Sequence, residues 1–225
     1  MIGASDASRV RKISDIFMGP VRYIAFEGID GAGKTAQASL LRERLRAHDC
    51  TAISLTEPTY GKYGQMVREH MTKGDDISVE RQRELFTLDR RQHVEQKIKP
   101  LLQFVHQNDS FVIIQQRYYL SAPAYQADGE AEMLALLREQ QSFAPKPDIV
   151  FLLDLPVELA MDRMKERAGG KSLFEQPITL KKVRDRYLFL ANEGSEPIEV
   201  IDAAAAKDEV SESVLGILDL ESIGA

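Results

Sequence analysis

The chain has 225 residues, of which 44% are hydrophobic and 28% are charged, as is typical of a soluble globular protein with one or two domains. Its 29 Lys and Arg residues against 35 Asp and Glu residues give a formal net charge of −6, which disfavours a broad nucleic-acid surface but allows a small anionic substrate. No apolar run approaches the roughly 20 residues of a membrane span, and the single cysteine, Cys50, excludes an intrachain disulfide.

Residues 1–20 precede the first predicted strand. They contain no apolar stretch of the kind found in a secretory signal, and Asp6 and Asp15 argue against a transit peptide. We therefore expect a disordered or loosely docked extension over residues 1–20, followed by a single domain over residues 21–225. The lone cysteine suits a reducing compartment, and we expect a cytoplasmic protein. From the charge balance and the lack of a long apolar run, we expect no nucleic-acid polymer and no membrane as partner.

Short apolar runs alternate along the chain with longer segments of helical period. The runs that read as strands are Tyr23–Phe26, Ala52–Leu55, Phe111–Ile114, Ile149–Leu153 and Ile198–Ile201. Helical periodicity follows the first strand, covers most of residues 78–107, resumes from about Thr179 and closes the chain around Val210–Leu218. Apolar strands separated by helices predict an α/β fold, in which a five-stranded parallel sheet is flanked by helices on both faces.

A phosphate-binding loop lies directly after the first predicted strand and opens the first predicted helix. It reads Gly28-Ile29-Asp30-Gly31-Ala32-Gly33-Lys34-Thr35 and fits the pattern G-x-x-x-x-G-K-[ST] at every fixed position. Glycines allow the backbone N–H groups to turn inward around an anion, and the helix adds its positive end. The pattern predicts that Lys34 reaches the β- and γ-phosphates of ATP and that the Thr35 hydroxyl binds Mg²⁺.

Several further segments, together with the loop, resemble the thymidylate kinases, a family of P-loop nucleoside monophosphate kinases. The segments are Phe26-Glu27 before the loop, Glu57-Pro58, Arg68, the run from Leu85 to Arg90, the run from Arg117 to Gln126, Pro145–Asp148 and Phe151–Asp154. The resemblance covers about residues 22–202. It implies transfer of the γ-phosphoryl group of ATP to dTMP, and it implies a homodimer.

The resemblance also implies roles for individual residues in binding the acceptor nucleotide. The residues are Asp30 at the sugar 3′-hydroxyl, Glu57 in the Glu-Pro segment, Phe86 against the pyrimidine, Arg90 at the base or phosphate, Ser121 and Gln126 at the base edge, Tyr125 near the sugar, and Arg68 and Arg117 at the acceptor phosphate. A planar guanidinium can bind two phosphate oxygens at once, and an aromatic face suits a flat base, so the residue types fit these roles.

The segment 165–178 resembles the mobile lid of the family. The resemblance implies that Arg163 and Lys171 bind ATP. It also implies that Arg167, or failing that Lys171, approaches the transferring phosphoryl group, so that Lys34, Arg117 and Arg167 form the catalytic set. Phosphoryl transfer asks a protein mainly for alignment and charge stabilisation, which these cations can supply.

Gln116 departs from the family pattern, which has aspartate immediately before the arginine, where it helps to hold the water shell of Mg²⁺. Glu57, or else Asp154, could compensate from a neighbouring strand end. Two alternatives therefore stay open: a kinase for another or modified pyrimidine nucleotide such as dUMP, and a nucleotide-binding protein with weakened catalysis.

Overall fold

Five parallel strands form one sheet, as the apolar runs predict. The computed structural model describes residues 21–73, 77–108, 111–166 and 177–218. The strands are β1 (Tyr23–Glu27), β2 (Thr51–Thr56), β3 (Phe111–Gln116), β4 (Ile149–Asp154) and β5 (Ile198–Asp202). Each contains the corresponding predicted run and extends it by one or two residues.

Helices connect the strands and close the described chain. They are α1 (Lys34–Ala47), α2 (Lys62–Lys73), α3 (Val79–His93), α4 (Lys99–Val105), α5 (Ser121–Gln126), α6 (Glu130–Gln141), α7 (Val157–Glu166), α8 (Pro177–Asn192) and α9 (Lys207–Ile217). The segment 78–107 is helical as predicted, but a π-helical stretch (Val94–Ile98) separates α3 from α4. The chain between β3 and β4, where no helix was predicted, forms α5 and α6.

The strand order is β2-β3-β1-β4-β5, and every neighbouring pair is parallel. The crossover from β1 to β2 runs in the opposite direction along the sheet from the later crossovers. Because such crossovers are right-handed, α1 covers one face and the helices of the later crossovers cover the other. This arrangement confirms the predicted fold class.

The core lies on both sides of β1, which is buried along its whole length. Phe26 of β1 stacks on Phe151 of β4, with ring centroids 5.5 Å apart, and Leu41 and Leu45 of α1 are fully buried. Burial of each such side chain stabilises the fold by roughly 1.5–3 kcal/mol. The two outer strands, β2 and β5, are only partly buried.

The connection after β1 leaves for a different face of the sheet from the connections after its neighbours, β3 and β4. In parallel sheets, ligands bind in the crevice that this reversal opens at the carboxyl ends of the strands. The phosphate loop begins there, at Gly28.

Two predicted segments lie wholly or mostly outside the described residues: the extension 1–20, and residues 167–176 of the lid over 165–178. Among the helices that are described, none combines the length and the apolar character needed to cross a membrane.

Candidate active site

The phosphate loop joins β1 to α1 and approaches two backbones closely. Gly28 has φ 136° and Gly31 has φ 83°, conformations that residues with a Cβ rarely adopt. A Cβ at Gly28 would lie 2.6 Å from the carbonyl oxygen of Leu153, and a Cβ at Gly31 would lie 2.7 Å from that of Ala160. The two glycines therefore let the loop pack against β4 and α7.

Lys34 is the first residue of α1 and is largely buried. Its Nζ donates hydrogen bonds to the carbonyl oxygens of Gly28 (2.9 Å) and Ile29 (2.7 Å), which hold the ammonium group across the loop. The next residue, Thr35, is exposed. The loop thus brings a cation and an exposed hydroxyl group to the same opening.

A chamber of about 220 Å³ opens at this loop, between the carboxyl ends of β1, β2 and β3. Its lining includes Lys34, Thr35, Thr56, Arg68, Gln116 and Arg117. Three of these side chains are cations, so the chamber suits the phosphate groups of a nucleotide. Arg68 also donates to the carbonyl oxygen of Pro58 and lies over the ring of Tyr60, 4.4 Å from its centroid.

Asp30 and Arg117 form an ion pair on one wall of this chamber. An Arg117 N–H lies 2.5 Å from Asp30 Oδ1 and 3.1 Å from the hydroxyl oxygen of Tyr125. Burial alone would raise the pKa of Asp30, but the charges of Arg117 and Lys34 outweigh it, so the pKa lies below its ordinary value. Asp30 is therefore ionised and can accept a hydrogen bond from a ligand.

Arg117 reaches Asp30 from an uncommon backbone conformation, with φ 58°. Its N–H bonds the carbonyl oxygen of Phe26 (3.0 Å), and its own carbonyl oxygen accepts a bond from Gln115 Nε2 (2.7 Å). These two bonds fix the turn that follows β3 and so fix the direction of the guanidinium.

A second cavity of about 60 Å³ lies beside the chamber and shares Asp30, Pro58 and Arg117 with it. Its remaining lining is Met71, Phe86, Arg90, Ser121, Ala122, Tyr125 and Gln126. The fold thus brings seven of the nine predicted acceptor residues to one pocket. The other two, Glu57 and Arg68, line the chamber instead.

Arg90 is almost fully buried at the back of this pocket. Its guanidinium donates to Glu57 Oε2 (2.8 Å), to Gln140 Oε1 (2.8 Å) and to the carbonyl oxygen of Tyr118 (3.0 Å). The other carboxylate oxygen of Glu57 lies 2.9 Å from His93 Nδ1. Both carboxylate oxygens of Glu57 are therefore bonded to side chains that form the wall of the pocket.

Gln126 and Ser121 contribute differently to the pocket. The Oε1 atom of Gln126 is buried and has no hydrogen-bond partner within the described chain, so it presents an acceptor to whatever enters. The Ser121 hydroxyl, by contrast, is bonded to Glu27 Oε2 (2.8 Å) and lies 2.9 Å from the Tyr187 hydroxyl.

A third cavity, of about 230 Å³, also lies at the phosphate loop and shares Gly31 and Gly33 with the chamber. Its lining includes Gly33, Gln37, Arg163, Ala203, Ala205 and Lys207. A hydrogen bond from Gln37 Nε2 to the carbonyl oxygen of Lys207 (2.9 Å) ties α1 to the start of α9 at this edge. Arg167 and Lys171 lie outside the described residues.

Gln116 ends β3 and pairs with Thr56 of β2 in the sheet register. The two carboxylates that could compensate for its lack of charge are already bonded. Asp154 accepts two hydrogen bonds from Arg184, at 2.6 and 2.9 Å, and Glu57 binds Arg90 and His93. Within the parts of the chain that are described, no cluster of three or more His, Cys, Asp or Glu side chains could hold a metal ion.

Sequence reasoning missed several residues that shape the site: Glu27, Met71, His93, Gln140 and Tyr187. Glu27 stood in the strand that precedes the loop, and His93 follows Arg90 by three residues on the same helix, so both could have been suspected from spacing. Gln140 lies on α6 and carries no signal in the sequence, because its contact with Arg90 depends on tertiary packing.

The chain matches known proteins over most of its length. The sequence profile of the family described as "Thymidylate kinase" matches residues 26–214. The "Probable thymidylate kinase" of Pyrococcus abyssi is 38% identical over 209 residues, which cover 90% of this chain and 98% of that protein. The "Thymidylate kinase" of Xylella fastidiosa strain M12 is 36% identical over 195 residues, covering 87% and 85%. A third, from Akkermansia muciniphila, is 36% identical over 199 residues, covering 88% and 92%. The chain belongs to the thymidylate kinase family.

Proposed function

We propose that this protein transfers the γ-phosphoryl group of ATP to dTMP, giving dTDP and ADP. One observation carries the proposal beyond family membership: the phosphate-loop chamber and the acceptor pocket share the Asp30–Arg117 wall. A nucleotide base in the pocket would place its phosphate in the chamber, facing the phosphates on the loop. This is the geometry that in-line transfer between two nucleotides requires.

The pocket suits a thymine base by its hydrogen-bonding pattern. Thymine presents one N–H donor between two carbonyl acceptors. Gln126 Oε1 is an unpartnered acceptor within the described chain, and Arg90 uses three of its five N–H groups on protein acceptors, which leaves two donors. Phe86 supplies an aromatic face for the ring. Cytosine reverses the donor and acceptor at this edge, so it should bind less well.

The residues along the shared wall would bind the sugar and the acceptor phosphate. Tyr125 occupies the pocket where the sugar would lie and would disfavour a ribose 2′-hydroxyl, and the ionised Asp30 would accept a bond from the 3′-hydroxyl. Arg117 and Arg68 would hold the phosphate with bidentate contacts. Ser121 lines the same pocket, but its hydroxyl is already bonded, so we assign it to shaping the pocket.

ATP would occupy the loop and the cavity beyond it. The backbone amides of the loop would cradle its phosphates, Lys34 would bond the β- and γ-phosphates, and Arg163 would lie against the adenosine. The acceptor oxygen is already ionised, so the reaction needs no strong general base. The protein's task is to align the two phosphates and offset the charge that spreads over the transferring group. We keep Arg167, or else Lys171, as the proposed additional cation.

Mg²⁺ fits the chamber because Thr35, Thr56 and Gln116 offer oxygen atoms there, and oxygen is the ligand type that a hard cation prefers. We propose that the Thr35 hydroxyl binds the ion, with Gln116 facing its water shell. When bound with ATP, Mg²⁺ would supply positive charge that offsets the negative charge of the phosphates. With no described acidic cluster at the site, the phosphates themselves would supply its charged ligands.

Gln116 favours a second candidate, a nucleotide-binding protein with weakened catalysis. A neutral side chain at this position gives the hydrated ion less electrostatic support than a carboxylate would. Tight ATP binding without acceptor-dependent release of ADP would support this candidate and contradict the first.

An acceptor panel tests the proposal. ADP release should be measured with Mg²⁺ and ATP on dTMP, dUMP, dCMP and UMP, with Lys34→Met as a matched inactive variant. We expect dTMP to give the highest kcat/KM and Lys34→Met to lose roughly a hundredfold or more in turnover, the usual scale for such charge contacts. Equal rates on UMP and dTMP would contradict the role of Tyr125.

We also propose that residues 21–225 form a single domain, that the protein is a homodimer as the family resemblance implies, and that it acts in the cytoplasm. Light scattering would test the second point, because the chain has a mass of 25.3 kDa and a dimer would have twice that.

A further inference from the structure

Glu27 is a fully buried carboxylate at the end of β1, directly before the phosphate loop. Its Oε1 accepts a hydrogen bond from the backbone N–H of Tyr118 (2.8 Å). Its Oε2 accepts one from the Ser121 hydroxyl and one from the Tyr187 hydroxyl, both at 2.8 Å. The functions assigned above do not use this side chain.

The partners of Glu27 come from three separate parts of the fold. Tyr118 lies in the turn between β3 and α5, Ser121 begins α5 and lines the acceptor pocket, and Tyr187 lies on α8. The ring of Tyr187 also packs edge-on against that of Tyr125, with centroids 6.3 Å apart and planes at 83°. One carboxylate thus ties the strand of the phosphate loop to both the pocket helix and α8.

A carboxylate in this place has an energetic cost. Burial raises the pKa of Glu27, against the lowering effects of the Ser121 hydrogen bond and the charge of Arg117. A buried carboxyl group is tolerated when hydrogen bonds replace its water, and here three donors do so. An apolar side chain would fill a central strand at less cost but could not orient two hydroxyl groups.

Three oxygen atoms, one from Glu27 and the hydroxyl oxygens of Ser121 and Tyr187, lie close together. Glu27 Oε2 lies 2.8 Å from each hydroxyl oxygen, and those of Ser121 and Tyr187 lie 2.9 Å from each other. With both hydroxyl protons directed at the carboxylate, the start of α5 and the ring of Tyr187 are fixed relative to β1. The pocket walls formed by Ser121 and Tyr125 then keep one position.

We propose that Glu27 is a positioning residue for the acceptor nucleotide, acting through Ser121 and Tyr187 rather than by touching the reacting atoms. The inference rests on the proposed function, because it assigns the pocket to dTMP. It is confined to the acceptor side, because the hydrogen bonds of this carboxylate within the described chain go to Tyr118, Ser121 and Tyr187 and not to the phosphate-loop amides.

A double-mutant cycle separates this role from a purely structural one. Glu27→Gln keeps the size of the side chain but replaces one of its two acceptor oxygens with an NH₂ donor group, which then faces a donor. Tyr187→Phe removes only one hydroxyl. Each change leaves a buried polar group without its partner, so we expect the KM for dTMP to rise on the order of tenfold in each. The KM for ATP should stay within about twofold of its value in the unmodified protein. In the double variant, the rise in the KM for dTMP should be well below the product of the two single rises.

Tyr119→Phe is the matched control. Tyr119 is likewise buried and donates its hydroxyl to a buried carboxylate, that of Glu196, but it does not line the acceptor pocket. We expect this variant to lower the melting temperature while leaving the KM for dTMP unchanged.

An unchanged KM for dTMP in a folded Tyr187→Phe variant would overturn the proposal. So would equal rises in the KM values for ATP and dTMP, or independent effects in the double variant. Absence of dTMP turnover in the unmodified protein would instead count against the proposed function. In that case, dTMP affinity measured by calorimetry across the same four variants would still decide the positioning role.

Discussion

Arg90 shows at the scale of a single residue how the pocket is held together. Its buried guanidinium is bonded by Glu57, Gln140 and the carbonyl oxygen of Tyr118, so three separate elements converge on one side chain. Removing one partner of a buried ion pair leaves the other charge uncompensated, which costs far more than the loss of a surface pair.

Arg90→Met should therefore destabilise the fold by about 3–5 kcal/mol, because it strands the buried carboxylate of Glu57. The adjacent Arg91 is exposed and lies over the ring of Phe143, so Arg91→Met should cost no more than about 1 kcal/mol. Urea unfolding of both variants measures the difference. Similar midpoints would show that the Arg90 network contributes little.

Asp30 leads to a prediction about pH. A carboxyl group whose pKa is lowered in the folded state contributes stability that is present above its unfolded pKa of about 3.9 and is lost as the pH falls. The pKa of Asp30 lies below its ordinary value because of Arg117 and Lys34. The difference in unfolding free energy between the unmodified protein and Asp30→Asn should thus stay level above about pH 5 and shrink below about pH 4. A difference that grows in acid would contradict the assignment.

Gln116 offers a test of how the metal ion is held. Glu57 and Asp154 are ion-paired with Arg90 and Arg184, which offsets the negative charge that either carboxylate could offer the metal ion. Gln116→Asp should lower the Mg²⁺ concentration needed for half-maximal turnover and raise the rate, because a carboxylate supports the hydrated ion. Gln116→Asn has the same length without the charge and should not. Identical Mg²⁺ dependence in the two variants would rule out this explanation.

At the scale of an element, the turn from β2 into α2 depends on a close backbone approach. A Cβ on Gly64, in the first part of α2, would lie 2.1 Å from the carbonyl oxygen of Thr59. Thr59 is held in turn by Asp89, which accepts hydrogen bonds from its N–H and its hydroxyl. The turn therefore cannot retreat without breaking these bonds.

Two glycine substitutions should consequently change the stability of the protein in opposite directions. Alanine stabilises a helix interior relative to glycine by about 0.5–1 kcal/mol. Gly216→Ala lies in the last turn of α9, where the added atom meets nothing within 4 Å, so it should stabilise the protein by no more than about that amount. Gly64→Ala should instead destabilise the protein by roughly 1–3 kcal/mol, as overpacking does. Thermal melts of the two variants decide the matter, and a stabilised Gly64→Ala would show that the turn can move.

The elements themselves were only partly predictable. Apolar runs such as Ile149–Leu153 predict strands because a parallel sheet buries both faces. The spacing of the glycines and Lys34 predicts the phosphate loop. Nothing local predicts the π-helical stretch Val94–Ile98 or the short helix Ser121–Gln126, because packing decides both. The predicted first strand ended at Phe26, and nothing in the sequence identified Glu27 as the partner of Tyr187, which lies 160 residues further along the chain.

At the scale of the whole molecule, the strand order explains why the site is where it is. Apolar runs predict five parallel strands but not that β1 lies between β3 and β4. That position puts the phosphate loop beside Arg117, at the end of β3, and next to the pocket residues of α3 and α5. The family resemblance named most pocket residues in advance, whereas the bonded state of Glu57, Ser121 and Asp154 emerged only from the fold.

The central claim is that two nucleotides meet across the Asp30–Arg117 wall. A crystal structure with a bisubstrate ligand, adenosine joined to thymidine through a chain of phosphates, tests it most directly. We expect the adenosine in the cavity beside Arg163, the phosphates along the loop at Lys34, and the thymine between Phe86 and Gln126. Thymine outside that pocket, or phosphates that leave the loop amides unbonded, would contradict the account.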